Sequence, residues 1–445
     1  MQNKYFLLFV VICIATHTAA SSLHALKDRS QQLLDSIGLR VNHVNPLRPI
    51  RNGVPDYTDI DRSFRQLLLI FRGIFLGSAL NGVEALYRSS MHEGKLQDPI
   101  PKHVPFPCPL NNTRSTSTPI SVERLRPGDI DIVAAIGDSL SAGNGIISRS
   151  VIDVLNEFRG FSFSSGGLGT WRTALTLPNI LKVFNPKLYG YATGHSLVAN
   201  HETSHFSIAE PMIMSHDLLY QARVIIDLMQ RDPHVDMKRH WKLLTVFVGN
   251  NDLCSDICHW DDPQKLIDRH AQDLRQAFRL LRDNVPRLLI NLVAVPNILL
   301  AVRHIKVVPI QCFLVYRVAC NCLLSDRLTA ADMKQRYNII RRWQQVDLEV
   351  ARLAEFHRMD FAIIAHPGIT NLTTPLLPNG NTDWRYFSHD CFHFSQRSHA
   401  AGANLLWNSM FLPDEQKPRP IKLPEPFERF MCPSNEQPFF VVRPS

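Results

Sequence analysis

Ser139, Asn251, Asp390 and His393 are the side chains whose types and settings could together carry out acyl transfer. That chemistry needs a nucleophile, a base that takes its proton, a group that orients the base, and donors for the oxyanion. Ser139 supplies a hydroxyl in Gly137-Asp138-Ser139-Leu140, directly after an apolar run. His393 is the best candidate base, and Asp390, three residues earlier, could hold its imidazole in one tautomer. With 19 histidines in the chain, spacing alone favours a surface His. Asn251, in Gly249-Asn250-Asn251-Asp252, could donate its side-chain amide to an oxyanion near Ser139, although polar residues after a strand are usually turn formers. Cys254 and Cys258 follow closely, and without a Cys/His pair at zinc spacing they read as disulfide partners, with no metal implied.

These residues need a frame. Ile132-Val133-Ala134-Ala135-Ile136 reads as a buried strand, which places Ser139 past its C-terminal end, where open α/β sheets bind ligands. A helix starting there would aim unpaired N–H groups at the same crevice. Further strands are expected at 242–248, 288–295 and 361–365. Helices are expected at 171–184 (with Pro178 as kink or boundary), from 218 to 231, and at 263–283, 330–357 and 400–410. Strands alternating with helices predict an α/β protein, a mostly parallel sheet covered on both faces. Upstream, 62–91 reads as a helix packed on the catalytic domain, and the Pro-rich stretch 99–109 as a strap leading to Cys108.

Composition bounds the rest. The chain has 445 residues, 45% apolar and 20% charged, ordinary for a globular protein of one or two domains. Its formal charge of +8 is spread out. No nucleic-acid motif is present, whereas weak attraction to anionic membrane surfaces fits the charge. Lys4, the apolar run 5–15 and the small residues Thr18, Ala19 and Ala20 have the layout of a secretory signal peptide cleaved near Ala20. That run is too short to span a bilayer, and the C-terminus lacks a long apolar tail, so no transmembrane or lipid anchor is expected. Cys108, Cys254, Cys258, Cys312, Cys320, Cys322, Cys391 and Cys432 remain after cleavage, an even set suited to disulfides of unspecified pairing. Asn111 and Asn371 head glycosylation sequons.

Gly137-Asp138-Ser139-Leu140, Gly249-Asn250-Asn251-Asp252 and Asp390-Cys391-Phe392-His393 together resemble the SGNH (GDSL) hydrolases. The contexts 125–130, 177–181, 251–254 and 393–395 resemble the phospholipase B branch, and the likeness runs from about Cys108 to Lys417. The resemblance implies a three-layer α/β/α sandwich of flavodoxin-like type. It implies Ser139 as nucleophile, His393 as base and Asp390 as its partner, with Asn251 and the Ser139 N–H in the oxyanion hole and Asp138 in a structural role. It also implies a glycine N–H in that hole, but Met212 stands where the glycine is expected. A side chain there resists unusual φ values and would enter the pocket.

The organisation expected is a signal peptide at 1–20, a leader with a helical region at 21–107, an SGNH domain at 108–417 and an extension at 418–445. The function expected is a secreted phospholipase B-like esterase acting on fatty-acyl esters of (lyso)phospholipids, without cofactor or metal. The alternatives are an esterase or lipase for another ester, or a catalytically weak lipid-binding homologue. Expected partners are the acyl-ester substrate and a transient membrane surface; oligomeric state stays open. The apolar, cysteine-bearing segment 298–323 is expected either to wall the acyl site or to be a buried core excursion.

Overall fold

The computed structural model describes residues 82–303, 305, 308–325 and 327–442. The signal peptide, most of the leader and the start of the expected 62–91 helix lie outside the described residues. Four strands, β1 (Ile130–Gly137), β2 (Trp241–Phe247), β3 (Leu288–Val293) and β4 (Phe361–His366), form one parallel sheet in the order β1-β2-β3-β4. Apart from Asp131, every residue of the four strands is buried, as expected for a sheet covered on both faces. On the free edge of β1 the segment 206–210 runs alongside like a short parallel strand. Ala135 N donates to Phe206 O, Ile208 N to Ala135 O and Glu210 N to Gly137 O. This edge segment ends just before Met212.

The main helices are α1 (Val83–His92), α2 (Ser139–Ala142), α3 (Leu177–Phe184), α4 (Leu218–Arg231), α5 (Pro263–Asn284), α6 (Ile310–Val318), α7 (Ala330–Ala351) and α8 (Gln396–Ser409). Helices α4, α5 and α7 pack in sequence along one layer. Helices α3 and α8 meet elsewhere, with Phe184 stacked on Trp407 at 5.4 Å. The sheet thus has helices on both sides, the three-layer α/β/α architecture.

Several boundaries differ from expectation for local reasons. Helix α3 begins at Leu177, because Thr176 caps it through the Asn179 amide and Pro178 fits only the first turn; residues 171–176 are irregular, with a turn over 171–173. Helix α7 stops at Ala351, and a separate 3₁₀ turn covers Ala354–Phe356. Helix α8 starts four residues before the expected Ala400. Helix α1 packs through Leu86 into a small cluster with Ile146, Ile147, Phe158 and Phe161. The strap before α2 is bonded to the C-terminal stretch by Cys108–Cys432, and Phe440 N donates to Leu125 O.

Candidate active site

The Gly137-Asp138-Ser139 turn is shaped by close approach. Gly137 has φ 137°, and a Cβ there would lie 2.0 Å from Phe247 O on β2, so only glycine fits. Helix α4 reads the same residue through Gln221, which accepts from Gly137 N at 2.8 Å and donates to Gly137 O at 3.0 Å. Asp138 then caps α2, accepting from Leu140 N at 3.0 Å, and its other oxygen accepts from Asn250 at 3.0 Å. Burial pushes the Asp138 carboxyl up to about 6, against the hydrogen bonds from Asn250 and Leu140. Its contacts fit the structural part expected of it. Ser139 is the first residue of α2 and is almost buried.

His393 Nε2 lies 2.7 Å from Ser139 Oγ, and His393 Nδ1 lies 2.5 Å from Asp390 Oδ2. The second Asp390 oxygen accepts from the backbone amides of Phe392 and His393 at 3.1 and 3.0 Å. The carboxylate is therefore fixed by its own turn. Burial works against both charges. Nevertheless the imidazole beside it and the two amides hold Asp390 below the usual carboxylate range. For His393, burial lowers the pKa, but the Asp390 carboxylate outweighs it and the net shift is upward. A neutral imidazole with its proton on Nδ1 leaves Nε2 to accept the serine proton.

The oxyanion candidates Asn251 and Met212 lie on two stretches joined by a hydrogen bond. Gly249 has φ 117°, and a Cβ there would lie 2.6 Å from Trp343 Nε1, so the chain turns tightly into Asn250 and Asn251. Asn251 Nδ2 donates to Ile213 O at 2.8 Å, which uses one amide hydrogen and leaves the other. Met212, next to Ile213, has φ 64°, the left-handed conformation a glycine would adopt. Its side chain is 75% exposed, so it points to solvent and does not fill a pocket, contrary to expectation. Neither the Ser139 nor the Met212 amide has an acceptor among the described residues.

All eight expected cysteines are paired: Cys108–Cys432, Cys254–Cys320, Cys258–Cys322 and Cys312–Cys391. The last three tie the 298–323 segment to the stretch after Asn251 and to the residue between Asp390 and Phe392. A cleft of about 670 Å³ opens here, lined by Leu140, Asn250, Ile298, Val302, Cys391 and Phe392 among others. The segment thus contributes Ile298, Ala301 and Val302 to the wall of this cleft. A second, apolar cavity of about 550 Å³ shares Leu372, Phe394, Ser398 and Leu423 with the cleft and reaches Phe163, Phe247 and Leu406.

Sequence reading missed three buried supports: Gln221, Arg159 and the pair His270–Asp347. Arg159 is ion-paired to Glu157 and donates to Ser207 O and Ala209 O at 2.8 and 2.6 Å, which fixes the edge segment before Met212. Their signal in sequence is weak, since a polar residue on a helix or loop gives no hint of a distant backbone partner.

Residues 133–406 match the model of the family described as GDSL-like lipase/acylhydrolase. The chain belongs to the GDSL-like lipase/acylhydrolase family. It is 34% identical over 371 residues to rat phospholipase B1, membrane-associated, covering 79% of this chain and 25% of that protein. The mouse protein of the same name is 35% identical over 331 residues, covering 73% of this chain and 22% of its own length. The human one is 34% identical over 330 residues, with the same two shares, 73% and 22%. The chain thus spans about a quarter of the length of the curated relatives it matches.

Proposed function

We propose that this chain is a secreted, phospholipase B-like esterase that hydrolyses fatty-acyl ester bonds of (lyso)phospholipids. The observation that carries the reading is the Ser139–His393–Asp390 line, whose sequence neighbours Leu140, Cys391 and Phe392 line an apolar cleft. Neutral His393 takes the Ser139 proton as Oγ attacks the ester carbonyl, and Asp390 stabilises the imidazolium that results. The negative oxygen of the tetrahedral intermediate is held by the Ser139 N–H, the second Asn251 amide hydrogen and the Met212 N–H. His393 then protonates the departing alcohol, and a water attacks the acyl-serine by the same route in reverse. No step calls for a metal or cofactor. The apolar lining of the cleft and of the adjoining pocket suits contact with a fatty-acyl chain.

Contact with a lipid surface is supported by apolar side chains that are exposed among the described residues. Ile310 is 87% exposed, and Phe313, Leu376 and Leu377 are also exposed, close in sequence to cleft-lining Val302 and Pro375. Cys312, within that α6 stretch, is bonded to Cys391 beside the triad. Secretion is supported by the paired cysteines and by the signal-like N-terminus, and glycosylation by exposed Asn111 and Asn371. Among the described residues no helix is long and apolar enough to cross a membrane. The domain reading stays as expected from sequence, with the catalytic unit at 108–417.

Incubation of the purified chain and its Ser139→Ala variant with phospholipid, lysophospholipid and neutral-lipid vesicles, read by mass spectrometry, tests this. Free fatty acid released from phospholipid by the wild type alone supports the proposal. Release from neutral lipid only points to another ester, and binding without release points to a lipid-binding homologue.

A further inference from the structure

The molecule contains a second Ser-His-Asp chain, far from solvent. Ser215 Oγ lies 2.7 Å from His270 Nδ1, and His270 Nε2 lies 2.8 Å from Asp347 Oδ1. All three residues are buried. The same serine donates its backbone N–H to both oxygens of Asp252, each at 3.1 Å. His270 comes from α5 and Asp347 from α7, and the His270 ring stacks on Trp343 at 3.9 Å. Trp343 in turn is the side chain against which Gly249 is pressed.

The contacts of Ser215, Asp252 and Trp343 reach the two turns that carry the proposed oxyanion donors, and His270–Asp347 ties them to α5 and α7. Ser215 opens the 3₁₀ turn Ser215–Asp217, three residues after Met212, and Asp252 follows Asn251. Ile213 O, between Met212 and Ser215, is the acceptor that orients the Asn251 amide. We propose that Ser215, His270 and Asp347 form a buried positioning chain that sets the register between the Met212 turn and the Asn251 amide, and so aims the oxyanion donors. The inference rests on the esterase reading given above. The chain is no second catalytic centre, because Ser215, His270 and Asp347 are all buried and the hydroxyl is closed off from solvent. Oxyanion contacts strengthen mainly in the transition state, so loosening them lowers kcat while leaving substrate affinity.

The test uses the full chain, with kcat counted per active site labelled by a fluorophosphonate probe. Ser215→Ala and His270→Asn should each lower kcat about tenfold, with KM within about twofold of wild type. Asp347→Asn, which keeps an acceptor for the His270 N–H, should recover most of the loss seen in Asp347→Ala. Hydrogen exchange should speed up at 211–215 and 249–253 in Ser215→Ala while the sheet stays protected. A kcat per labelled site in Ser215→Ala within twofold of wild type would overturn the inference, as would a matching rise in KM. If the wild type hydrolyses no ester, the proposed function falls by itself. Unchanged exchange at both turns would then overturn the positioning chain independently.

Discussion

The two Ser-His-Asp chains share residue types and nearly equal hydrogen-bond lengths, yet their surroundings differ. In one, Ser139 bonds Nε2 and Asp390 bonds Nδ1; in the other the ring is reversed, with Ser215 on Nδ1 and Asp347 on Nε2. Ser139 sits at the start of a helix, its own amide without an acceptor among the described residues, and its neighbour Leu140 lines a cleft. Ser215 spends its amide on Asp252, is buried, and turns its hydroxyl to His270 of α5. The His393 side chain keeps 14% of its surface, whereas that of His270 keeps none. A hydrogen-bonded triad is thus a common way to satisfy buried polar groups. What suits one for catalysis is access for a carbonyl carbon together with unpaired donors aimed at the same place.

The largest effect that could break this comparison is Ser139→Ala, which should lower kcat by about 10⁴-fold or more without lowering Tm. If Ser139→Ala retained hydrolysis while Ser215→Ala lost it, the two chains would have been assigned the wrong way round. Asp390→Asn should cost about 10⁴-fold as well, and it carries a pH signature. In the wild type, Asp390 holds His393 above the ordinary 6.5 despite burial. The base is useless once protonated, so kcat/KM should fall as pH drops through a midpoint above 6.5. With Asn the raising charge is gone, and the acid limb should move to lower pH. A limb that stayed in place would show that Asp390 does not govern the base.

The disulfide beside the triad offers a smaller lever. Cys312→Ser with Cys391→Ser opens a loop with a sequence separation of 79. In the chain-entropy model this costs roughly 4 kcal/mol of stability. Thermal unfolding should register it, and kcat should also drop, since Cys391 lies between Asp390 and Phe392. Removal of Cys108–Cys432, remote from the triad, should lower Tm without changing kcat per active site. Equal kcat losses from both pairs would argue that the effect is global. The smallest effect is expected from Met212→Gly. Because Met212 already holds φ 64°, glycine relieves a left-handed conformation worth roughly 1–2 kcal/mol but adds backbone freedom worth about 0.5–1 kcal/mol. The net is a gain of about 1 kcal/mol or less, with kcat within about twofold. A tenfold rise in kcat would instead mean that the Met212 N–H is misaligned in the native chain.

Local pattern carried much of this outcome. The apolar runs ending at Gly137 and Phe247 are strands because β-branched and apolar residues buried on both faces have few alternatives. The three short blocks were legible because each keeps its turn glycine or capping residue within a few positions: Asp138 on Leu140, Gly249 before Asn251, Asp390 on His393. Family likeness in those blocks linked them to one site before any contact was known. The limits are equally physical. Met212 read as a defect from its residue type, since φ is a property of the folded turn, and only the fold sends its side chain outward. Cysteine pairing could not be read from spacing, because partners 64 to 324 residues apart are chosen by geometry. Ser215, His270, Asp347, Gln221 and Arg159 carry no motif at all. They lie on separate elements, and their meaning depends on which buried backbone groups the packed helices bring within hydrogen-bond reach, a choice that tertiary structure alone makes.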